Sequence, residues 1–155
     1  MIRAFAAVVT VFFLMVGPCL AQQTGSEVAP EIKGLLKTHE EAFQNKDMQG
    51  IMDLYAPGPE TVLLGTGPGE RWTGEEEIKD AYMHFFENFD TSESKLTWLS
   101  ADSRGDVAWL SAMVRYTYYL KNEKTEFGIN LSAVLEKTDG KWRFVALHFS
   151  NLAAE

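Results

Sequence analysis

The residues able to do chemistry in this 155-residue chain are few and scattered. Arg115 stands inside the run Ala112-Met113-Val114-Arg115-Tyr116-Thr117. A guanidinium in an apolar strand needs an anion or a set of acceptors. That partner is either a ligand or a local acid such as Glu126 across a hairpin. Trp109, Ser111, Met113, Thr117 and Tyr119 share its face. His148, in His148-x-Ser150, can donate and accept at once, which suits acid–base work near neutral pH; the alternative is a role in holding a sheet or a dimer interface. His39 lies on a buried helical stripe, either as a satisfied core histidine or as a donor to a developing oxyanion. Tyr55 and Tyr82 are the hydroxyls that could work with these histidines. With Trp72, Trp98 and Trp109 they could also line an apolar cavity, or simply fill a core.

Several chemistries lack support. The three histidines are too dispersed for a metal site, with no His-Glu-x-x-His, no acid-rich calcium loop and only one cysteine. No cofactor is called for. Gly65-Thr66-Gly67-Pro68-Gly69 suggests a phosphate loop, but Pro68 lacks an N–H, no helix opens from it, and no Lys-Ser or Lys-Thr pair follows. A plain turn is the better reading.

Helical periodicity from Pro30 puts Ile32, Leu35, Leu36, His39 and Phe43 on one face. Asp47 can cap a second helix with Met48, Ile51, Met52 and Tyr55 inward. Thr61–Leu64 reads as a short strand. Thr73 with Glu76 has the form of a capping box opening a third helix, whose stripe is Ile78, Tyr82, Phe85, Phe86 and Phe89. Period two then predicts strands over about 95–102, 107–120, 125–137 and 141–151. In the last, Trp142, Phe144, Ala146, His148 and Ser150 alternate with Arg143, Val145, Leu147, Phe149 and Asn151, so both faces look apolar and covered. Helices first and strands later predict an α+β fold with a pocket between the layers.

The N-terminal stretch, with Arg3, an apolar run over 4–16 and Ala21 before a cut, predicts a signal peptide over 1–21, then a polar leader over 22–27; the rival readings are an uncleaved anchor and a lipid-modified Cys19, which Pro18 fits poorly. An exported product, periplasmic or secreted, follows from that expectation, with no membrane attachment after cleavage. Cys19 leaves with the signal. Loss of Arg3 leaves 13 basic residues (14 minus one) against 22 acidic ones, a net charge of −9. Nucleic acid and anionic membranes are therefore poor partners.

Lys46-Asp47, Trp72-x-Gly74-x-Glu76, and Asp139-Gly140-x-Trp142 followed by His148-x-Ser150 resemble, in order and spacing, the SnoaL-like domains of the nuclear transport factor 2-like superfamily over residues 28–152. The run around Arg115 and the last hairpin are also similar to the association domain of calcium/calmodulin-dependent protein kinase. The resemblance implies a cone-shaped barrel: a curved, mostly antiparallel sheet with three N-terminal helices on its concave face. It implies a homodimer through the outer sheet face and a pocket of variable chemistry. By the same resemblance Arg115 falls on a pocket arginine and Phe149 on a second one. His39 falls on the oxyanion-binding tyrosine of ketosteroid isomerase, and Leu64 on that enzyme's proton-abstracting aspartate. The expected function is binding of a small, largely apolar molecule, with or without an anionic group. The expected ligand contacts are Arg115, Tyr55, Trp72, Tyr82, Trp98, Trp109, Thr117 and Phe149. The alternatives are an acid–base isomerase, dehydratase or cyclase using His39 and His148, and a ligand-free dimerisation module.

Overall fold

The computed structural model describes residues 28–151. The expected signal and leader lie outside the described residues. Helices α1 (Ala29–Gln44) and α2 (Met48–Met52) come first, then β1 (Val62–Leu64), β2 (Arg71–Thr73) and α3 (Gly74–Phe86). Four long strands follow: β3 (Thr91–Arg104), β4 (Val107–Leu120), β5 (Glu123–Thr138) and β6 (Lys141–Asn151). They form one sheet in the order β2-β1-β6-β5-β4-β3, antiparallel throughout except where β1 runs parallel to β6. The α+β cone expected from the sequence is the fold observed. Strand β2 was not foreseen; it is three residues long and lies where the sequence signals a helix start.

Lys46-Asp47, between α1 and α2, serves two helix ends. Lys46 takes a left-handed φ of 54° and sends its Nζ to the carbonyls of Phe86 (2.9 Å) and Phe89 (2.7 Å), over the Phe89 ring. A cation there meets carbonyls that the end of α3 leaves unsatisfied. Asp47 caps α2 by accepting from the Gly50 N–H at 3.0 Å. The capping box at α3 differs from expectation by one residue. Thr73 donates through both N–H and hydroxyl to Glu77, not Glu76, because Gly74 at φ 71° adds a turn residue before the helix proper. The hairpins turn at Lys121-Asn122 and Asp139-Gly140, each pair at positive φ, the hand that matches strand twist.

Two bulges set which residues face the helices. In β3 the register shifts between Leu96, opposite Val114, and Trp98, opposite Met113. In β6 Phe144 pairs with Leu135 and Ala146 with Val134, leaving Val145 as the extra residue. A one-residue insertion flips every later side chain to the other face. The inward row of β6 is therefore Trp142, Phe144, Leu147 and Phe149, while His148 is exposed. The strand that looks apolar on both faces is apolar on one. The expectation that both faces of β6 are apolar is corrected by this bulge.

Candidate functional site

Beneath α1 and α3, the inward face of the sheet leaves a cavity of about 270 Å³. It is small against the usual range for ligand sites, roughly 300–1,000 Å³. His39 and Phe43 of α1 and Tyr82 and Phe85 of α3 line one side. Tyr116 and Tyr118 of β4, Phe127 and Ile129 of β5, and Phe149 of β6 line the other. Gly65, Thr66 and Glu70, from the β1–β2 turn, with Asn88 and Asn151, form the polar edge. The glycine-rich segment is thus a turn at the rim. One N–H that could meet an anion, that of Gly67, is taken by the chain's own Glu70 carboxylate at 2.8 Å.

A chain of buried polar groups runs behind the aromatic lining. The hydroxyls of Tyr55 and Tyr82 are 2.9 Å apart, and that of Tyr82 is 2.7 Å from His39 Nε2. On the other side of the ring, His39 Nδ1 lies 3.6 Å from Glu40 Oε1. That oxygen also accepts from the Tyr116 hydroxyl at 2.6 Å. One donor order serves the first two links, Tyr55 to Tyr82 and Tyr82 to His39 Nε2, while His39 Nδ1 is buried without a hydrogen-bond partner among the described residues. Glu40 Oε2 is buried and has no hydrogen-bond partner among the described residues.

Burial sets the acidities here. It pushes the hydroxyls of Tyr55, Tyr82, Tyr116 and Tyr118 well above the usual phenol range. The negative charge of Glu40 adds to this at Tyr82, Tyr116 and Tyr118. Burial also raises the Glu40 carboxyl, but His39 beside it and the Tyr116 hydroxyl outweigh that and hold it below the ordinary carboxylate range. The ionised Glu40 carboxylate therefore stands behind the lining, bonded by the Tyr116 hydroxyl, with the protonated phenols of Tyr82 and Tyr118 within its field.

Among the sequence candidates, His39, Tyr82 and Phe149 lie in the lining. Tyr55 stands directly behind Tyr82, and Trp72 packs edge-on against Phe85 at 5.6 Å. The other five face away from the cavity. Strand β4 buries Ala108, Leu110, Ala112, Val114 and Tyr116, so Trp109, Arg115 and Thr117 point to the outer face. The β3 bulge turns Trp98 outward, and the β6 bulge does the same to His148. Arg115 sits opposite Gly128 and Lys95, and its charge only helps lower the exposed Glu126 carboxyl, which is held mainly by Lys124. The assignment of Arg115 to a ligand anion inside the cone is corrected by this orientation.

Glu40, Phe43, Tyr116, Tyr118 and Phe127 are site residues that sequence reasoning missed. Glu40 had a signal: it lies four residues after Leu36 and three before Phe43, both buried, so it belongs to the same helical stripe. A second hollow of about 440 Å³ lies between α1 and β3, with Lys33, Lys37, Leu36, Leu96 and Glu40 on its walls and no aromatic residue. Among the described residues no group of three potential metal ligands occurs, and no helix is long and apolar enough to cross a membrane.

The model of the SnoaL-like domain family matches residues 32–155. No protein of curated function matches the chain. A nuclear transport factor 2-like protein from Salmonella enterica serovar Typhimurium superposes with a TM-score of 0.74 at 21% identity, over 83% of this chain and 94% of that one. A candidate calcium/calmodulin-dependent protein kinase II association domain from Xanthomonas campestris gives 0.71 at 25% identity, over 81% and 88%. A candidate dehydratase of the same superfamily from Streptomyces avermitilis gives 0.71 at 16% identity, over 84% and 100%. With its cone, its helix order and a family match spanning most of its length, the chain belongs to the SnoaL-like domain family.

Proposed function

We propose that this protein is an exported binding domain that holds a small, largely apolar molecule in the cone, as a homodimer joined through its outer sheet face. The observation that carries the reading is the aromatic cavity lined by Phe43, Tyr116, Tyr118, Phe127 and Phe149, with Glu70, Asn88 and Asn151 at its polar edge. Such a site binds by apolar contact and orients its ligand through the few polar groups at the edge. Export rests on the N-terminal stretch with its apolar run over 4–16. The dimer rests on the exposed apolar residues of the outer face.

A second reading, an acid–base enzyme, is favoured by one feature, the hydrogen-bonded series Tyr55, Tyr82 and His39, with Glu40 3.6 Å beyond, which could serve a proton transfer to or from a bound molecule. No carboxylate from β1 joins the site, since that strand is Val62-Leu63-Leu64. Native mass spectrometry of residues 22–155, purified from the source organism, tests the binding reading. A small-molecule adduct is expected, lost when Ile129→Trp fills the cavity while circular dichroism stays unchanged. An apo protein throughout, or an adduct that survives the filled cavity, overturns it. Loss of the adduct's conversion in His39→Gln with binding retained would favour the enzyme.

A further inference from the structure

We propose that the cavity's ligand carries a positive charge: a small amine or quaternary ammonium group on an apolar body. This rests on the binding reading above and narrows its chemical class.

The argument begins with what the wall lacks. No lysine or arginine lines the cavity. Arg115 is on the other side of the sheet. Lys46 is engaged by two carbonyls and the Phe89 ring, and Lys37 pairs with Glu41 at 3.2 Å. An anionic ligand would meet no cationic side chain, apart from whatever charge His39 could take up. It would also approach Glu70 at the rim and Glu40 behind Tyr116.

A cation meets the opposite conditions. The rings of Tyr116, Tyr118 and Phe127 crowd one wall, with Tyr118 and Phe127 at 4.8 Å and Tyr116 and Phe127 at 5.6 Å, and Phe43 on the helix side is 6.4 Å from Tyr118. Aromatic walls attract ammonium groups through the negative faces of the rings. Glu70 brings a carboxylate to the rim, and Glu40, outside the lining on the wall of the hollow between α1 and β3, adds its negative charge from behind Tyr116. The Glu40 side chain is 15% exposed, and among the described residues its one ion-pair neighbour is His39, whose Nδ1 at 3.6 Å is too far to hydrogen-bond it. Oε2 remains without a partner. The same negative field that helps hold the protons of Tyr82, Tyr116 and Tyr118 in place draws a cation inward.

Three isosteric probes separate charge from shape: benzyltrimethylammonium, neutral neopentylbenzene and phenylmethanesulfonate, titrated into residues 22–155 by calorimetry or ligand-observed NMR. The ammonium is expected to bind at least tenfold more tightly than the hydrocarbon, and the sulfonate not at all. Glu40→Gln should weaken the ammonium severalfold and leave the hydrocarbon's affinity unchanged. Should that variant lose its fold, Glu70→Gln at the exposed rim is expected to weaken the ammonium alone, by about threefold. Equal or tighter binding of the hydrocarbon overturns the cation inference and leaves the apolar pocket standing. Tighter binding of the sulfonate overturns it as well and points to a charged His39. Binding of none of the three overturns both the inference and the pocket reading beneath it.

Discussion

The Tyr116 hydroxyl donates to Glu40 Oε1 at 2.6 Å, joining strand β4 to helix α1 across 76 positions of sequence. Hydrogen bonds to a buried charge are stronger than neutral ones, contributing about 1.5–3 kcal/mol. Tyr116→Phe should therefore cost about 2 kcal/mol of unfolding free energy. In a Glu40→Gln background the same substitution should cost clearly less, because the acceptor is then neutral. A double-mutant cycle by urea denaturation measures the difference; costs that add to within about 0.5 kcal/mol would show that the contact carries no coupling.

Stability should fall at both pH extremes, for two separable reasons. Burial makes Tyr55, Tyr82, Tyr116 and Tyr118 weaker acids in the fold, with pKa values raised above the ordinary phenol value. Their contribution is complete below the ordinary phenol value of 10.0 and is lost as pH climbs from there toward the folded values. Glu40 is lowered in the fold, so its contribution is present above the ordinary 4.5 and is lost as pH drops through the folded value. Melting temperatures across pH should show both declines, with phenolate absorbance from these four tyrosines appearing only on unfolding. Glu40→Gln should flatten the acid decline and leave the alkaline one. If phenolate forms fully while the protein stays folded, the buried-tyrosine account is wrong.

The Lys46 side chain is a cap for a helix to which it is not adjacent in sequence. Lys46→Met keeps most of the apolar stem and removes two charge-assisted bonds to the end of α3. Because the lysine is exposed, the expected loss is at the low end for such bonds, about 1–2 kcal/mol. Lys46→Gly separates the backbone contribution, since glycine accepts the φ of 54° without strain. Both variants should lower the melting temperature, and hydrogen exchange should quicken most at the C-terminal turn of α3. Unchanged exchange there would refute the capping role.

The order of elements was legible because each rests on local chemistry. Pro30 and Asp47 mark helix starts, and Asp139-Gly140 marks a turn of the required hand. The site was only half legible, because parity along a strand is not local. Strand β4 carries large apolar residues at both odd and even positions, Trp109 and Met113 against Leu110, Val114 and Tyr116, so alternation cannot say which set faces the helices. In β6 one unpaired residue, Val145, reverses the parity midway, and nothing in Phe144-Val145-Ala146 announces it. His39 was legible as a buried stripe residue. Its partners were not, since Glu40 reads as a solvated acid until Tyr116 reaches it.

That outer face provides the last prediction. Across the ladder, Ser100, Ser111, Ser132 and His148 stand side by side, one residue from each long strand. On one flank of this row lie Trp98 and Met113; on the other lie Trp109 and Val134, all four between 42% and 50% exposed. A furrow of small side chains between two apolar ridges is complementary to itself after a half-turn, with a ridge of one copy entering the furrow of the other. A contact of this kind buries its tryptophans and leaves the charges of Lys95 and Arg115 at the margin. Met113→Lys places a charge on one ridge and, by symmetry, twice in each dimer. The mature chain should elute as a dimer in size-exclusion chromatography with light scattering, and Met113→Lys as a monomer with an unchanged circular dichroism spectrum. Ser111→Trp, which fills the furrow, should give the same result. His148→Ala, at the furrow's end, should weaken the dimer by tenfold or less. A monomeric wild-type chain, or a dimer indifferent to both Met113→Lys and Ser111→Trp, would remove this face as the interface and leave its tryptophans without a partner.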